Sequence, residues 1–226
     1  MGFRLQRQID KLKEDILTLG AAVEEQLLQA VRAIENRDAD LAQQVIDADM
    51  KIDQMEVDFE EECLKILALY QPVAIDLRYI IAVLKINNDL ERIGDLATNL
   101  ARRARFFSKL HDVEMPDMFK EMALKSSAML CKSLDALVKL NVELANEVCM
   151  ADDEVDALHK NNYLLVHKGI EREPQRLDFY LNLFLTSSHL ERIADQTTNI
   201  AEDVIYLIRG EIVRHSHEKK SSAKTQ

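Results

Sequence analysis

The sequence predicts an all-α protein made of two tandem, sequence-related three-helix bundles with six long helices. Its 226 residues include only 5 Gly and 3 Pro, and apolar residues recur every three or four positions over long stretches. Sheets and barrels need frequent Gly- and Pro-rich turns, so this composition indicates few, long elements. A repeated thirteen-residue block predicts the division into two bundles.

Three helices are expected in the first half. The first follows an apolar stripe from Leu5 to Ile34, where Asn36-Arg37-Asp38 interrupts the pattern and supplies a cap for the second helix. The second helix stops before Pro72, which we expect in the first turn of the third helix. That helix runs to about Ser108 and, at about 1.5 Å per residue, spans on the order of 50 Å.

The segment 109–117 is the clearest break in the chain. A fourth helix is predicted from the apolar spacing between Phe119 and Val148, and Ala151-Asp152-Asp153 is the predicted junction with a fifth helix. Pro174 opens a sixth helix that ends near Gly210. The predicted units are a first bundle over 1–110, a second over 111–214 and a polar, disordered tail over 215–226.

The two halves share a repeated block. Asp-Leu-Glu-Arg-Ile-Gly-Asp-Leu-Ala-Thr-Asn-Leu-Ala begins at Asp89, and His-Leu-Glu-Arg-Ile-Ala-Asp-Gln-Thr-Thr-Asn-Ile-Ala begins at His189. Pro72 and Pro174, which precede the two blocks, correspond as well. A block of this length in the matching helix of each half indicates a duplication.

Each block carries oxygen-bearing side chains on one face of its helix, at about 100° per residue. The predicted outward-facing residues are Glu91, Asp95 and Asn99 in the first copy and Glu191, Asp195 and Asn199 in the second. The opposite faces, which should enter the bundles, carry Ile93, Ala97, Leu100 and Ala104 in the first copy and Ile193, Ile200, Val204 and Ile208 in the second.

The preceding helix of each half carries a further acidic pair. If the helices are antiparallel neighbours, these pairs lie at the height of the acids in the repeated blocks. Two carboxylate pairs facing each other across a groove supply at least four oxygens, a ligand set typical of divalent cations. The pairs are Asp49 with Asp53 and Asp152 with Asp156.

An acidic helix face is most often simply solvated, and this alternative stays open. Like charges four residues apart destabilise a helix by about 0.2–0.5 kcal/mol, and the adjacent Arg92 and Arg192 can neutralise acids without a metal. The pattern nevertheless occurs twice, on matching helices, each time beside an aligned acidic pair. It therefore favours metal binding over an ordinary solvated face.

Composition restricts the class of protein. The net charge is −11 and the pI about 5.1, which disfavours a nucleic-acid partner. No apolar run approaches the ~20 residues of a membrane span, and the N-terminal residues lack a signal-peptide core. Three cysteines without CxxC spacing suit a reducing compartment. We expect a cytoplasmic protein, and the absence of GxxxxGK[ST], HExxH and GxSxG sequences predicts that it is not an enzyme.

The repeated blocks resemble the PhoU family. The resemblance is carried by the segments 88–95 and 189–206, and by Gln-Pro-Val-Ala-Ile-Asp-Leu-Arg at 71–78, and it covers roughly residues 3–212. It implies two tandem three-helix bundles. It also implies a negative regulator of phosphate uptake and of the bacterial phosphate-starvation response, which bridges the phosphate ABC transporter, including its ATPase, and a sensor histidine kinase.

The resemblance further implies multinuclear metal clusters held by Glu/Asp-x-x-x-Asp pairs. Carried onto this chain, the ligands are Asp49, Asp53, Glu91, Asp95, Asp152, Asp156, Glu191 and Asp195. Asn99 and Asn199 extend the set by helix spacing alone. The metal is Fe, Zn, Mn or Mg, since oxygen ligands do not discriminate among them. The second half lacks the Asp-Leu-Arg run after Pro174, so the equivalence of the two halves stays open.

Two other functions remain as alternatives. One is a metal-free adapter whose acidic faces dock basic partner surfaces, and the other is a metal-dependent phosphohydrolase using bridging carboxylates. A homodimer also stays open. Membrane association is expected only through partners.

Overall fold

The computed structural model describes residues 2–110 and 114–210, and within these residues it contains helices and no strand. The predicted tail 215–226 lies outside the described residues. The elements are α1 (Gly2–Asn36), α2 (Ala39–Tyr70), α3 (Ala74–Phe107), α4 (Asp117–Lys139), α5 (Val142–Arg172) and α6 (Leu177–Arg209), with a 3-10 turn at Pro174–Arg176.

The six helices form two three-helix bundles, which confirms the predicted fold class. Helices α1, α2 and α3 pack against one another, as do α4, α5 and α6, and the bundles meet where α3 lies on α6 and α1 on α4. The buried apolar side chains form one continuous core through both bundles. The sequence repeat is therefore a repeat of one packing unit, and the two units share an interface.

Helices α3 and α6 run antiparallel at the centre of the molecule. Near the start of α3, Lys85 Nζ lies 3.3 Å from Asp203 Oδ1 near the end of α6. Near the end of α3, Arg103 Nη1 donates a hydrogen bond of 2.9 Å to Asn182 Oδ1 near the start of α6. Asp203 is 2% exposed and the Lys85 side chain 38%, so the ion pair joins a buried carboxylate on α6 to a partly exposed ammonium group on α3.

The connection between α2 and α3 differs from the predicted one. Asp38 caps α2 as predicted, its side chain accepting hydrogen bonds from the backbone of Asp40 and Leu41. Pro72, however, precedes α3 and is not in its first turn, since the helix begins at Ala74. Gln71 and Ala74 both have left-handed backbone conformations, which non-glycine residues rarely adopt, so the chain turns within this short connection.

The predicted boundary between α4 and α5 was wrong. The turn lies at Leu140 and Asn141, and Ala151-Asp152-Asp153, the predicted junction, lies inside α5. Leu140 adopts the left-handed conformation, and the Asn141 side chain accepts hydrogen bonds from the next helix's first backbone N–H groups. No Gly or Pro marks this turn, and the apolar spacing continues across it, so the periodicity alone predicted one longer helix.

The predicted inward faces of α3 and α6 are buried, with one exception. The first copy is completely enclosed and the second is enclosed as far as Val204, while Ile208 is 36% exposed. Each fully buried Leu or Ile contributes about 1.5–3 kcal/mol relative to an exposed one. Burial of these faces turns the opposite, acidic faces toward solvent.

Gly169 on α5 lies directly against the Tyr180 ring on α6, and this contact generates a stability prediction. A Cβ there would overlap the ring of Tyr180, which is buried, whereas a Cβ at Gly20 in α1 would meet only the flexible end of Leu134, 2.7 Å away. Both Gly→Ala changes gain up to about 1 kcal/mol of helix propensity. We expect Gly169→Ala to be less stable than Gly20→Ala by about 1–3 kcal/mol, because its core is overpacked.

Urea unfolding of the two variants measures this difference. Adding Tyr180→Leu to Gly169→Ala should recover part of the loss, because it removes the ring. Equal stability of the Gly169→Ala and Gly20→Ala variants would contradict the proposed close approach.

Candidate functional site

Two acidic grooves follow the helix pairs α2–α3 and α5–α6. The first acidic groove comprises Asp49, Asp53, Glu91 and Asp95, and the second comprises Asp152, Asp156, Glu191 and Asp195. In both grooves the Asp at the end of each motif is exposed and its partner four residues earlier is partly buried. The grooves exist because the apolar faces of the same helices are buried, which leaves their acidic residues at the boundary with solvent.

The carboxylates of the first acidic groove influence one another across the two helices. Burial raises the pKa of Asp53, and the charges of Asp49 on its own helix and Asp95 on α3 raise it further. Burial also raises the pKa of Glu91, with contributions from Asp95, Glu56 and Asp53 and a small opposing effect of Arg92. The predicted neighbours thus lie close enough to repel one another.

The second acidic groove shows a stronger effect. Burial, with the charges of Asp195 and Asp156, raises the pKa of Asp152 to about 7 from an ordinary value of 3.8. The pKa of Asp195 is raised by burial and by Asp156. One carboxylate oxygen of Asp152, Oδ1, is buried without a hydrogen-bond partner. Carboxyl groups with raised pKa values thus lie together in this groove, and the charge of Arg192 opposes the rise in the pKa of Asp195 only in part.

Basic side chains do not compensate the grooves directly. Among the described residues, none of the eight carboxylates is within ion-pair distance of a Lys, Arg or His. As the side chains stand, no three His, Cys, Asp or Glu residues of the described ranges converge on a point that could hold a metal ion.

The two asparagines predicted to extend the grooves are placed differently. Asn99 Oδ1 accepts a hydrogen bond of 2.9 Å from Arg102 Nη1, so its oxygen already has a donor. Both asparagines are partly buried, but Arg102 has no counterpart in the second copy, where Glu202 occupies the corresponding position. The asparagines are thus not equivalent, although their positions in the repeat are.

A residue pair beside each groove lies outside the predicted ligand set. In the first half, Asn87 Nδ2 donates to the Glu56 side chain over 3.1 Å, and Glu56 lies near Asp53 and Glu91. In the second half, His159 and Ser187 stand in this place, with His159 Nδ1 3.2 Å from Ser187 Oγ. The repeat itself was the missed signal, since 56 − 49 equals 159 − 152.

A buried glutamine on α1, Gln26, donates a hydrogen bond to Asp49 of the first acidic groove. Gln26 is 3% exposed, and its Nε2 lies 3.2 Å from both Asp49 Oδ1 and Thr98 Oγ1. Its Oε1 has no partner and lies 3.2 Å from the position that a Cβ at Gly94 would occupy. The second copy has Ala194 in place of Gly94. Gly94 therefore leaves room for an amide that orients Asp49.

Comparison with known proteins identifies the fold and the repeat. The family model described as "PhoU domain" matches twice, over residues 16–104 and 119–204. The chain belongs to the PhoU family. Each match covers one three-helix bundle with its acidic groove, so the resemblance expected from the repeated blocks is confirmed.

Individual PhoU proteins match over nearly the whole chain. A phosphate-specific transport system accessory protein PhoU homolog of Pseudomonas putida is 37% identical, covering 97% of this chain and 86% of the relative. The crystal structure of PhoU from Pseudomonas aeruginosa has a TM-score of 0.88 at 36% identity, and the match covers 91% of this chain and 99% of the chain in that structure. The crystal structure of the phosphate transport system regulatory protein PhoU from Streptococcus pneumoniae has a TM-score of 0.82 at 27% identity. The match covers 92% of this chain and 99% of the chain in that structure.

The helices of this PhoU protein are amphipathic throughout. Within the described ranges, none combines the length and the apolar character needed to cross a membrane.

The raised pKa of Asp152 generates a prediction for the metal-free protein. Because the folded protein binds this proton more tightly than the unfolded chain does, the carboxyl's contribution to stability is present below about pH 4 and is lost as the pH rises through about 7. Asp152→Asn removes the dependence, so we expect its Tm to exceed that of the wild type by about 2–4 °C near pH 8 and to differ little near pH 4.

Thermal unfolding of chelator-treated protein at several pH values tests this expectation. The exposed neighbour Asp153 supplies the matched control, Asp153→Asn, which should shift Tm much less. A Tm difference for Asp152→Asn that stays constant from pH 4 to 8 would be incompatible with a raised pKa.

Proposed function

We propose that this PhoU protein is a cytoplasmic negative regulator of phosphate uptake and of the phosphate-starvation response. It would act as an adapter between the phosphate transporter with its ATPase and a sensor histidine kinase, with metal ions bound in the two acidic grooves. Its relatives are named accessory or regulatory proteins of phosphate transport systems, which supports the regulatory role. The observation that carries the metal proposal is the duplicated set of carboxylates without basic partners.

The chemistry of the grooves fits metal ions. Oxygen-only ligand sets suit Mg, Mn and Fe, and carboxylates can bridge more than one ion. Burial raises the pKa of Glu91 in the first groove and of Glu191 in the second, so a cation there would relieve a cost that the folded protein otherwise bears. The unpartnered Oδ1 of Asp152 is an oxygen available to such a cation.

The eight carboxylates of the acidic grooves are the proposed ligands, with Asn99 and Asn199 as additional ones. Since no three groups converge as the side chains stand, binding would require rotation of surface carboxylates. Asp49, oriented by Gln26 over 3.2 Å, would move least. The bound ion's contribution would be to neutralise the groove and to fix the two helices against each other.

The grooves would differ in metal preference. The Ser187 hydroxyl donates to the Phe184 carbonyl at 2.9 Å. In its contact with His159, Ser187 Oγ therefore accepts a hydrogen bond from the protonated Nδ1. The other ring nitrogen then keeps its lone pair, whereas Glu56 supplies oxygen at the corresponding place. Imidazole favours Zn and Fe over Mg, so we propose that Zn or Fe prefers the second groove.

Loss of metal on removal of one carboxylate per groove is the direct test. We expect the wild type to bind Mn, Fe or Zn stoichiometrically and the double variant Asp95→Ala, Asp195→Ala to lose most of it. Both side chains are exposed, so the far-UV helix signal should be unchanged. Elemental analysis and calorimetric titration of the purified protein measure the change.

A control pair separates metal binding from general acidity. Glu143 and Glu147 on α5 have the same i, i+4 spacing and are exposed, but Glu147 is paired with Lys132. Glu143→Ala with Glu147→Ala should retain the wild-type metal content. No metal in the wild type after incubation with each ion would refute the metal proposal and leave the regulatory one standing.

The regulatory role has its own test in cells. In a bacterium deleted for its own PhoU protein, expression of this chain should lower a phosphate-starvation reporter in phosphate-rich medium. If the metal transmits the signal, the Asp95→Ala, Asp195→Ala variant should fail to lower it, although the protein accumulates normally. Unchanged reporter activity with the wild-type chain would contradict the regulatory proposal.

The metal-free adapter is the second candidate, and the lack of three converging ligands among the described residues favours it. In that case the acidic grooves bind basic surfaces of a partner directly. Partner binding would then weaken with salt and be indifferent to a chelator, whereas metal-dependent binding would be lost on chelation.

A further inference from the structure

An apolar groove lies at one end of the interface between the two bundles, away from both acidic grooves. Its volume is about 570 Å³, and it is lined by α1, the start of α3, the end of α4 and the end of α6. Ile75 is 71% exposed, Val138 55% and Leu140 54%. Large apolar side chains at this exposure indicate a surface that another apolar group covers.

The last turn of α6 forms part of this groove. Leu207 and Ile208, the apolar residues of the last turn of α6, line its wall. The helix then ends at Gly210, whose left-handed conformation (φ 75°) lets its N–H donate to the Tyr206 carbonyl at 2.8 Å. A left-handed cap of this type redirects the chain away from the helix axis, and Gly210 stands two residues after Ile208, which lines the groove.

The residues that follow suit the groove in composition. Positions 211–226 read Glu-Ile-Val-Arg-His-Ser-His-Glu-Lys-Lys-Ser-Ser-Ala-Lys-Thr-Gln, in which Ile212 and Val213 are the only large apolar residues. At about 3.3–3.6 Å per residue, both lie within roughly 11 Å of Gly210. Both residues are therefore within reach of the groove wall formed by Leu207 and Ile208.

The charges on either side of the apolar pair also match. Glu211 precedes Ile212 and Arg214 follows Val213. The groove is lined by one base, Lys13, and one acid, Asp76, and the Arg78 guanidinium packs beside Gly210. The segment thus offers one acid and one base, on either side of its apolar pair, to a groove that carries both a base and an acid.

We propose that the segment 211–214 docks in this apolar groove, with Ile212 and Val213 covering Ile75, Val138 and Leu140. Docking ties the end of α6 to α1, α3 and α4, and so fastens the second bundle to the first at the end of their interface. The proposal is independent of metal binding and of phosphate regulation.

Tryptophan fluorescence tests the docking, because the chain contains no Trp. The full-length variant Val213→Trp has a single fluorophore in the segment, and Ser222→Trp places one in the polar part as a control. We expect Trp at 213 to emit at shorter wavelength and to be quenched less by acrylamide than Trp at 222. Adding Ile75→Asp and Val138→Asp to Val213→Trp should move both values to those of the control.

The two groove substitutions change exposed side chains, so the helix signal should persist, and circular dichroism verifies it. Equal emission and quenching at 213 and 222 would overturn the proposal. So would a blue shift that Ile75→Asp and Val138→Asp leave unchanged. A blue shift that disappears on dilution would overturn it as well, since the groove would then be occupied by the segment of a second copy.

Discussion

The structure depends on the antiparallel packing of α3 on α6. These helices carry the two copies of the repeated block, and burying their apolar faces against each other and against the flanking helices orients every other element. The ion pair of Lys85 with the buried Asp203 joins the two helices at one point of this contact, although burying the carboxylate costs desolvation energy. Because one face of each helix is enclosed, the opposite faces, with Glu91 and Glu191, are left at the surface beside α2 and α5.

Much of the fold could be predicted from the sequence, because periodicity and repetition are local or internal signals. The helix ends at Asp38 and Gly210 followed from side-chain chemistry with known capping geometry. The turn at Leu140 could not be predicted in this way, since a left-handed leucine stabilised by the following Asn141 cap leaves no Gly or Pro in the sequence. The spacing of apolar residues does not reveal a strained backbone conformation such as the left-handed one of Leu140, which the surrounding packing maintains.

The residues of the candidate site also fall into those that helix spacing predicts and those that it does not. Glu91 and Asp95 were predictable because helix spacing determines which residues share a face. Gln26 was not, because its contact with Asp49 joins α1 to α2 and depends on the space left by Gly94. In the sequence of α1, Gln26 only interrupts the apolar stripe. Its hydrogen-bond partners lie on α2 and α3, so they are identified only once the three helices are packed together.

Duplication explains why the two halves can diverge without loss of the fold. Equivalent positions can carry different residue types, both beside the grooves and in the buried core. His159 and Glu56 therefore occupy equivalent places, and so do Ala194 and Gly94. The result is one groove whose first aspartate is oriented by an amide from α1, and a second whose aspartate has a pKa raised to about 7. A cation in the first groove would neutralise the charge of Asp49, whereas a cation in the second groove would displace the proton of Asp152. The pH dependence of cation binding would therefore differ between the two grooves near neutral pH.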